Sequence, residues 1–217
     1  PDVPTPEVAM EAMRHIDRTV LEYSPSEGIR SFREKLVKYY AKFNIIVDAD
    51  DIIITTGGSE AVFFSFMACL DPGDEIIVPE PAYANYMAFA ISCGAVIKTI
   101  PSTIEEGFAL PSVERFEELI TPRTKAVLIC NPNNPTGAVY PREILEQIAD
   151  LAREHELILF ADEIYDRLVM DGIEHTALAS VAPDVLTLSF NGLSKSHLIA
   201  GYRCGWVCPV SYTHLTL

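Results

Sequence analysis

The sequence lacks the long apolar run and the excess of basic residues that several classes of protein need. No apolar run is long enough to span a bilayer. The 16 Lys and Arg residues are outnumbered by 31 Asp and Glu residues, so the formal net charge is −15. A chain this acidic has no general attraction for nucleic acid or for an anionic membrane surface. We therefore expect neither as a partner, and we expect local positive groups to hold any anionic ligand.

Cysteine is present but lacks the spacing that binds zinc or builds a disulfide framework. The five cysteines are scattered, and most of them fall in apolar runs. Reduced, buried thiols are typical of cytoplasmic proteins, so we predict a cytoplasmic location and no metal site. No signal peptide is visible, and the chain begins at Pro1 without a Met, which leaves room for an upstream segment.

The 217 residues, 49% of them hydrophobic, suit one large globular domain with a substantial core. Apolar strand patterns alternate with helical patterns, without internal repeats or low-complexity linkers. This alternation predicts an α/β fold of three αβα layers around a mostly parallel sheet of about seven strands. The predicted strands are 51–56, 75–78, 95–100, 125–130, 157–160, 185–190 and 204–208.

The N-terminal part of the chain contains two predicted helices. Thr5 is expected to cap the first, with Pro6 at its first position, and that helix is expected to run to about Leu21. Ser26 is expected to cap the second, whose apolar positions recur at helical spacing. Between them lies a turn-rich loop that contains Tyr23, which by itself indicates only a half-buried aromatic residue.

The stretch from Gly58 to Glu60 opens a helix directly after the strand 51–56. Backbone N–H groups at a helix N-terminus attract anions, and glycine lets a phosphate approach closely. Most Gly-Gly-Ser turns are only turns, but Arg203 offers a second element, because a guanidinium can hold a phosphate through two hydrogen bonds. The two together predict a phosphate site.

Lys195 lies in the short polar segment that follows the strand 185–190. An amine at the mouth of a strand can attack an aldehyde when burial or a neighbouring cation favours its neutral form. The plain alternative is a solvated lysine. Pyridoxal phosphate is the cofactor that needs both an imine-forming lysine and a phosphate site.

Two other loops follow strands and carry polar residues. Asn131–Gly137 contains two Asn-Pro steps, which force an extended, rigid loop that can aim an amide side chain. Asp162 ends an apolar strand, where a carboxylate is costly to bury unless a cation such as a pyridinium offsets it; a helix N-cap is the alternative. Glu163 and Asp166, close behind it, are interpreted as solvated.

Three motifs, at 131–137, 162–165 and 192–205, resemble those of the class I/II aminotransferases, the fold-type-I pyridoxal phosphate enzymes, and the resemblance covers roughly residues 1–207. It implies that Lys195 is the Schiff-base lysine, that Asp162 contacts the ring nitrogen, and that Tyr83 stacks on the ring. The remaining cofactor-binding residues that it implies are Gly58, Ser59, Glu60, Ser194 and Arg203 at the phosphate, Asn134 and Tyr165 at the phenolic oxygen, and Tyr23 from the partner subunit of a homodimer.

The sequence departs from the family pattern at two positions. Cys204 stands where the family usually has Ala or a larger aliphatic residue. Gly192 stands where many relatives have a phosphate-binding Ser, and Ser194 is the residue that is available to replace it.

The resemblance implies an amino-acid aminotransferase that moves an amino group between an L-amino acid and a 2-oxo acid, 2-oxoglutarate or pyruvate. The segment 161–206 is most similar to bacterial alanine (glutamate–pyruvate) aminotransferases, which favours alanine as the donor. The part of the chain through Asn134 is just as similar to aspartate-type aminotransferases. Another pyridoxal phosphate reaction on the same fold, such as that of a C–S lyase or a decarboxylase, would share every motif. A transcription regulator with an aminotransferase-like sensor domain would need a basic DNA-binding domain, which is not visible.

The resemblance also divides the chain. Residues 1–208 are expected to form the pyridoxal phosphate-binding large domain, without the small C-terminal domain that supplies the family's arginine for the substrate carboxylate. Residues 209–217 have no core pattern and are predicted to be a non-native tail on a truncated fragment. We expect such a fragment to be inactive as a transaminase.

Overall fold

The computed structural model describes residues 3–17 and 19–211. Within these residues, seven strands form one sheet in the order β1-β7-β6-β5-β4-β2-β3. The strands are β1 (Ile53–Thr55), β2 (Glu75–Glu80), β3 (Val96–Pro101), β4 (Thr124–Cys130), β5 (Ile158–Asp162), β6 (Thr187–Gly192) and β7 (Gly205–Val210). Every predicted strand is therefore found, with its ends at the predicted residue or within two residues of it.

The sheet is parallel from β3 through β6, and only β7 runs antiparallel to its neighbours, β6 and β1. The central strands β4 and β5 are almost continuously apolar and buried, as strands covered on both faces must be. Their carboxyl ends, at Cys130 and Asp162, lie at the same edge of the sheet. The prediction of a mostly parallel α/β sheet is confirmed.

Helices cover both faces of the sheet and complete the three layers. Ile77 and Leu159 point to one face, where they pack in a cluster with Phe116 and Ile148. The opposite face packs Phe160 against Phe66. The helices of the described residues are α1 (Glu7–Arg14), α2 (Arg30–Tyr40), α3 (Gly58–Cys69), α4 (Asn85–Cys93), α5 (Val113–Glu117), α6 (Arg142–Glu154) and α7 (Leu178–Val181).

The N-terminal helices differ from the prediction in their ends and caps. Helix α1 stops at Arg14 instead of continuing to Leu21, and none of its residues is buried. A helix that buries so little of its surface gains little from packing, and packing supplies most of the stability of helices in proteins. The Thr5 hydroxyl does not cap α1 but donates to the carbonyl of Leu198 at 3.0 Å. Ser26 does not cap α2, which begins four residues later, at Arg30.

Strand β7 continues past the predicted domain boundary at residue 208. Pro209 pairs with Leu188 and Val210 pairs with Thr187. The rest of the predicted tail from 212 to 217 lies outside the described residues, so the boundary stays a prediction. Across the described ranges, no helix has the length and apolar character needed to cross a membrane.

Candidate active site

A cavity of about 210 Å³ opens where β4, β5 and β6 end and α3 begins. The carboxyl ends of parallel strands are the usual place for ligands in open α/β sheets. Nine residues predicted from the sequence line it, namely Gly58, Ser59, Tyr83, Asn134, Asp162, Tyr165, Ser194, Lys195 and Arg203. Five more lining residues were not predicted from the sequence, namely Val62, Tyr86, Cys130, Ile164 and Ala200.

Arg203 and the start of α3 form one end of the cavity. Gly57 has φ +89°, and a Cβ there would lie 2.3 Å from the Arg203 Nη2 atom. Gly205 is equally constrained, since its Cβ would lie 2.4 Å from the carbonyl carbon of Gly57. The two glycines let β7 and the Arg203 guanidinium approach the helix N-terminus, where free N–H groups favour an anion. Arg203 is exposed and its Nη1 donates to the Ala200 carbonyl at 3.0 Å.

Glu60 does not line the cavity, and its predicted contact with the cofactor stays a prediction. Its carboxylate accepts a hydrogen bond from the backbone N–H of Thr56. A carboxylate in the first turn of a helix is drawn to the unpaired N–H groups nearby. Glu60 therefore fixes the turn that enters α3, and Gly58 and Ser59 are the residues of its first turn that line the cavity.

Asp162 is buried at the end of β5 and faces the cavity. Its Oδ2 accepts the Tyr86 hydroxyl at 2.5 Å and its Oδ1 accepts the Ile164 N–H at 3.2 Å. Burial raises the pKa of Asp162, while the Tyr86 hydrogen bond and the charge of Lys195 oppose that rise. The N-cap alternative does not hold, because the next helix along the described chain, α7, begins only at Leu178.

Lys195 lies near both Asp162 and Tyr165. Its Nζ is 5.7 Å from the centre of the Tyr165 ring. The residue is exposed rather than buried, so solvent and ligands can reach the amine. Partial burial raises the pKa of Tyr165 and keeps its hydroxyl a hydrogen-bond donor at neutral pH.

The loop that carries Asn134 is anchored by its neighbour Asn133. The Asn133 amide donates to the Tyr140 hydroxyl at 2.8 Å and to the Pro81 carbonyl at 3.3 Å. Its backbone N–H donates to the Ala138 carbonyl at 2.8 Å, which closes the loop. With Asn133 buried in these contacts, the half-buried Asn134 is the amide that reaches the cavity.

The two tyrosines predicted near the ring differ in their placement. Tyr83 is half-buried on the cavity wall, and its ring meets that of Tyr86 edge to face at 5.4 Å. Tyr23 is fully exposed and does not line the cavity. Its role toward a partner subunit stays a prediction.

Glu163 and Asp166 are buried, so the interpretation that they are solvated is wrong. The Glu163 carboxylate accepts the Leu178 N–H and the Ser189 hydroxyl, each at 2.8 Å. Asp166 accepts the Tyr39 hydroxyl. Burial raises the pKa of Glu163 to about 7 and that of Asp166 to about 6. Both belong to internal networks beside the cavity, which local sequence does not reveal.

Gly192 has no room for a side chain. A Cβ there would lie 2.8 Å from the Cys204 carbonyl oxygen and 3.1 Å from Ile164 Cδ1. A serine at this position would collide with the antiparallel neighbour of β6. Ser194, which lines the cavity, is therefore the hydroxyl that the structure offers in its place.

Residues 1–212 match the family model described as aminotransferase class I and II. The chain is 43% identical over 210 residues to an aspartate/prephenate aminotransferase from Thermus thermophilus, which covers 96% of this chain and 54% of that protein. It is 40% identical to the glutamate-pyruvate aminotransferase AlaA of Escherichia coli, covering 93% of this chain and 49% of that protein. The solved Thermus thermophilus aspartate aminotransferase with maleate superposes with a TM-score of 0.90 at 42% identity, covering 97% of this chain and 55% of that one.

The chain therefore belongs to the class I and II aminotransferases. It spans about half the length of the curated relatives it matches, 54% and 49% for the two named above. Enzymes of this family use pyridoxal 5′-phosphate.

The cavity fits that cofactor. The buried carboxylate of Asp162 faces the cavity and suits a ring nitrogen that carries a proton. The Arg203 guanidinium, which can approach the start of α3 because Gly57 has no Cβ, suits a phosphate together with the helix N-terminus. Lys195, Tyr165 and Asn134 line the same cavity.

Proposed function

We propose that the chain is the cofactor-binding half of an amino-acid aminotransferase that uses pyridoxal 5′-phosphate. The observation that carries this proposal is the single cavity that brings together an exposed lysine amine, a buried carboxylate and an arginine beside a helix N-terminus. The cofactor, when bound, supplies a ring that accepts the electrons left when the substrate Cα loses its proton. Residues of the chain would bind and orient the cofactor and move the proton.

At the phosphate end, Arg203 and the N–H groups of Gly58 and Ser59 would bind and orient the anion. Ser194 would add a hydroxyl donor from the loop after β6. The formal net charge of the chain is −15, so these local groups and not the overall field must hold the ligand.

At the ring end, Asp162 would keep the proton on the ring nitrogen, because an ionised carboxylate favours a nearby cation. Tyr83 would pack against the ring, and Asn134 and Tyr165 would donate hydrogen bonds to its oxygen. Lys195 would be the amine that holds the cofactor and the base that moves the proton at the substrate Cα. Its exposure at the cavity mouth is consistent with reaching an incoming substrate.

We propose alanine as the donor and 2-oxoglutarate or pyruvate as the acceptor. The segment 161–206 supports this choice, as does the similarity to the Escherichia coli glutamate-pyruvate aminotransferase. Aspartate is the second candidate, since the Thermus thermophilus relative is named an aspartate/prephenate aminotransferase.

The test uses the chain completed to the length of its relatives. The purified protein is loaded with pyridoxal phosphate and mixed with alanine or with aspartate, and the loss of the bound cofactor's visible absorbance is followed. Faster loss with alanine, with pyruvate as product, supports the proposal. Aspartate as the better donor selects the second candidate. Release of ammonia or CO₂ without a 2-oxo acid acceptor would instead indicate a lyase or a decarboxylase.

Three further points are proposals of the same kind. A homodimer is supported by the full exposure of Tyr23, which leaves it free to meet a partner subunit. A cytoplasmic location is supported by the five free cysteines. We also propose that the 217 residues alone bind the cofactor without turning over substrate, which an assay of this chain beside the completed one would test.

A further inference from the structure

The hydroxyl of Tyr86 holds the carboxylate at the centre of the site. Tyr86 is the second residue of α4 and is only 1% exposed. Its hydroxyl donates to Asp162 Oδ2 at 2.5 Å, and the Tyr83 ring lies edge-on against its own. A phenylalanine would fill the same apolar space, so the hydroxyl is the group that distinguishes tyrosine at this position.

Asp162 has few groups that can stabilise its charge. Each carboxylate oxygen accepts one hydrogen bond, from Tyr86 and from the Ile164 N–H. The only cation that acts on its pKa within the described structure is Lys195, which is exposed and therefore partly screened by solvent. The titratable groups that surround Asp162 are Tyr86 from α4, Cys130 from β4, Glu163 and Tyr165 after β5, and Lys195 after β6.

The Tyr86 hydrogen bond opposes the effect of burial on Asp162. Burial raises the pKa of the Asp162 carboxyl, and the Tyr86 hydroxyl is the largest influence that lowers it. In return, burial and the carboxylate raise the pKa of Tyr86 well above its ordinary value, so the phenol keeps its proton and remains a donor. The hydrogen bonds from the Tyr86 hydroxyl to Oδ2 and from the Ile164 backbone N–H to Oδ1 also fix the rotation of the carboxylate, because each holds one of its two oxygens.

We propose that Tyr86 is a positioning residue, which keeps Asp162 ionised and oriented toward the cavity before the cofactor's ring nitrogen arrives. The inference rests on the proposed function for the identity of the ligand, but not for the effect on Asp162. Tyr86 touches the carboxylate and acts on the reaction only through it.

The test measures Asp162 directly, by carboxyl ¹³C NMR of the full chain labelled at the aspartate carboxyl carbon. Asp162→Asn assigns the resonance. In Tyr86→Phe the titration midpoint of Asp162 is expected to rise by about one pH unit, since one lost hydrogen bond to a charged group is worth at least that much. In Tyr86→His the midpoint is expected to fall, because a protonated imidazole is a stronger donor than a phenol.

Tyr40→Phe is the matched control. Tyr40 is also 1% exposed, but its hydroxyl bonds Ser189 and Trp206 instead of Asp162. This variant should lose stability to urea much as Tyr86→Phe does, with the Asp162 midpoint unchanged. A purely structural role for Tyr86 would not move the midpoint in opposite directions in the two Tyr86 variants. An unchanged midpoint in the folded Phe variant, or in the His variant where Phe does not fold, overturns the proposal.

A second experiment, which measures cofactor binding, distinguishes failure of this inference from failure of the proposed function. The dissociation constant for pyridoxal phosphate is measured by absorbance titration across pH. The dissociation constant of Tyr86→Phe divided by that of the parent chain should be near one at high pH, where Asp162 is ionised in both proteins. As the pH falls through the Asp162 midpoint of the variant, the variant's carboxylate loses its charge first, and this ratio should rise to about tenfold. A parent chain that does not bind pyridoxal phosphate at all refutes the proposed function, while the NMR result for Tyr86 stands by itself.

Discussion

The amine of Lys195 lies 5.7 Å from the centre of the Tyr165 ring, although the two residues are carried by different loops. Tyr165 follows β5 and Lys195 follows β6, and these neighbouring parallel strands end side by side. The same strand β5 ends in Asp162, whose pKa is sensitive to the Lys195 charge. The parallel pairing of β5 and β6 thus brings an amine, a phenol and a carboxylate to the same edge of the sheet.

We expect Lys195→Ala to abolish covalent attachment of the cofactor. The chain is incubated with pyridoxal phosphate, reduced with borohydride and examined by peptide mass spectrometry. The parent chain should carry the reduced adduct on the peptide that contains Lys195, because an imine forms only with a suitably placed amine. Lys98→Ala is the control, since Lys98 pairs with Glu75 and does not line the cavity. An equal yield of adduct in the Lys195 variant would contradict the assignment.

Gly57→Ala is expected to weaken both folding and phosphate binding. At φ +89° and ψ 163°, a conformation that is essentially confined to glycine, an alanine costs on the order of 1–3 kcal/mol of backbone strain. Its Cβ would also displace the Arg203 guanidinium. Gly73→Ala is a matched control, because Gly73 has φ +94° with no atom within 4 Å of its added Cβ. Urea unfolding should show a loss in both variants, whereas the affinity for pyridoxal phosphate should fall, by about tenfold or more, only in Gly57→Ala.

The sheet and most of the site were predictable because both depend on local pattern. Apolar runs marked the strands, and polar residues directly after them, such as Asp162 and Lys195, came together at one sheet edge as parallel topology requires. Ends of elements were less predictable. Helix α1 ends at Arg14 and has no fully buried residue, and the extent to which a helix is buried depends on tertiary structure.

The residues that sequence reasoning missed are those whose roles depend on distant contacts. Tyr86 meets Asp162 across 76 positions of the chain. Glu163, which is predicted from the sequence to be solvated, accepts hydrogen bonds inside the protein from the Ser189 hydroxyl and the Leu178 N–H. Glu60 satisfies a local N–H group instead of lining the cavity. The one available signal was the spacing of Tyr86 from Tyr83, three residues apart at a helix start.

Arg203→Lys is expected to reduce the affinity for pyridoxal phosphate by about tenfold. Lysine keeps the charge but has no planar pair of donors, so it cannot hold two phosphate oxygens and the Ala200 carbonyl together. Arg167→Lys is the control, because Arg167 lies over the Tyr39 ring and does not line the cavity. Absorbance titration compares the three proteins. Equal affinities would show that Arg203 acts only as a point charge.

His175 is a buried imidazole next to Glu163. Its side chain is 4% exposed, and its Nε2 lies 3.8 Å from the Glu163 Oε1. Within the described part of the chain, neither ring nitrogen has a hydrogen-bond partner. Burial lowers the pKa of His175 to about 4 and raises the pKa of Glu163 to about 7, so both groups are neutral at mildly acidic pH.

These two groups should affect stability in opposite directions as pH changes. Between pH 4 and 6.5 the unfolded chain binds a proton on His175 that the folded chain does not, so this residue makes stability rise with pH. Between pH 4.5 and 7 the folded chain holds a proton on Glu163 that the unfolded chain has lost, so stability falls. The free energy of unfolding of the parent chain minus that of His175→Gln, measured in urea, should therefore rise by up to about 3 kcal/mol from pH 4 to pH 6.5. The free energy of unfolding of the parent chain minus that of Glu163→Gln should instead fall from pH 4.5 to pH 7. Differences that stay constant with pH would mean that both groups remain ionised in the folded protein.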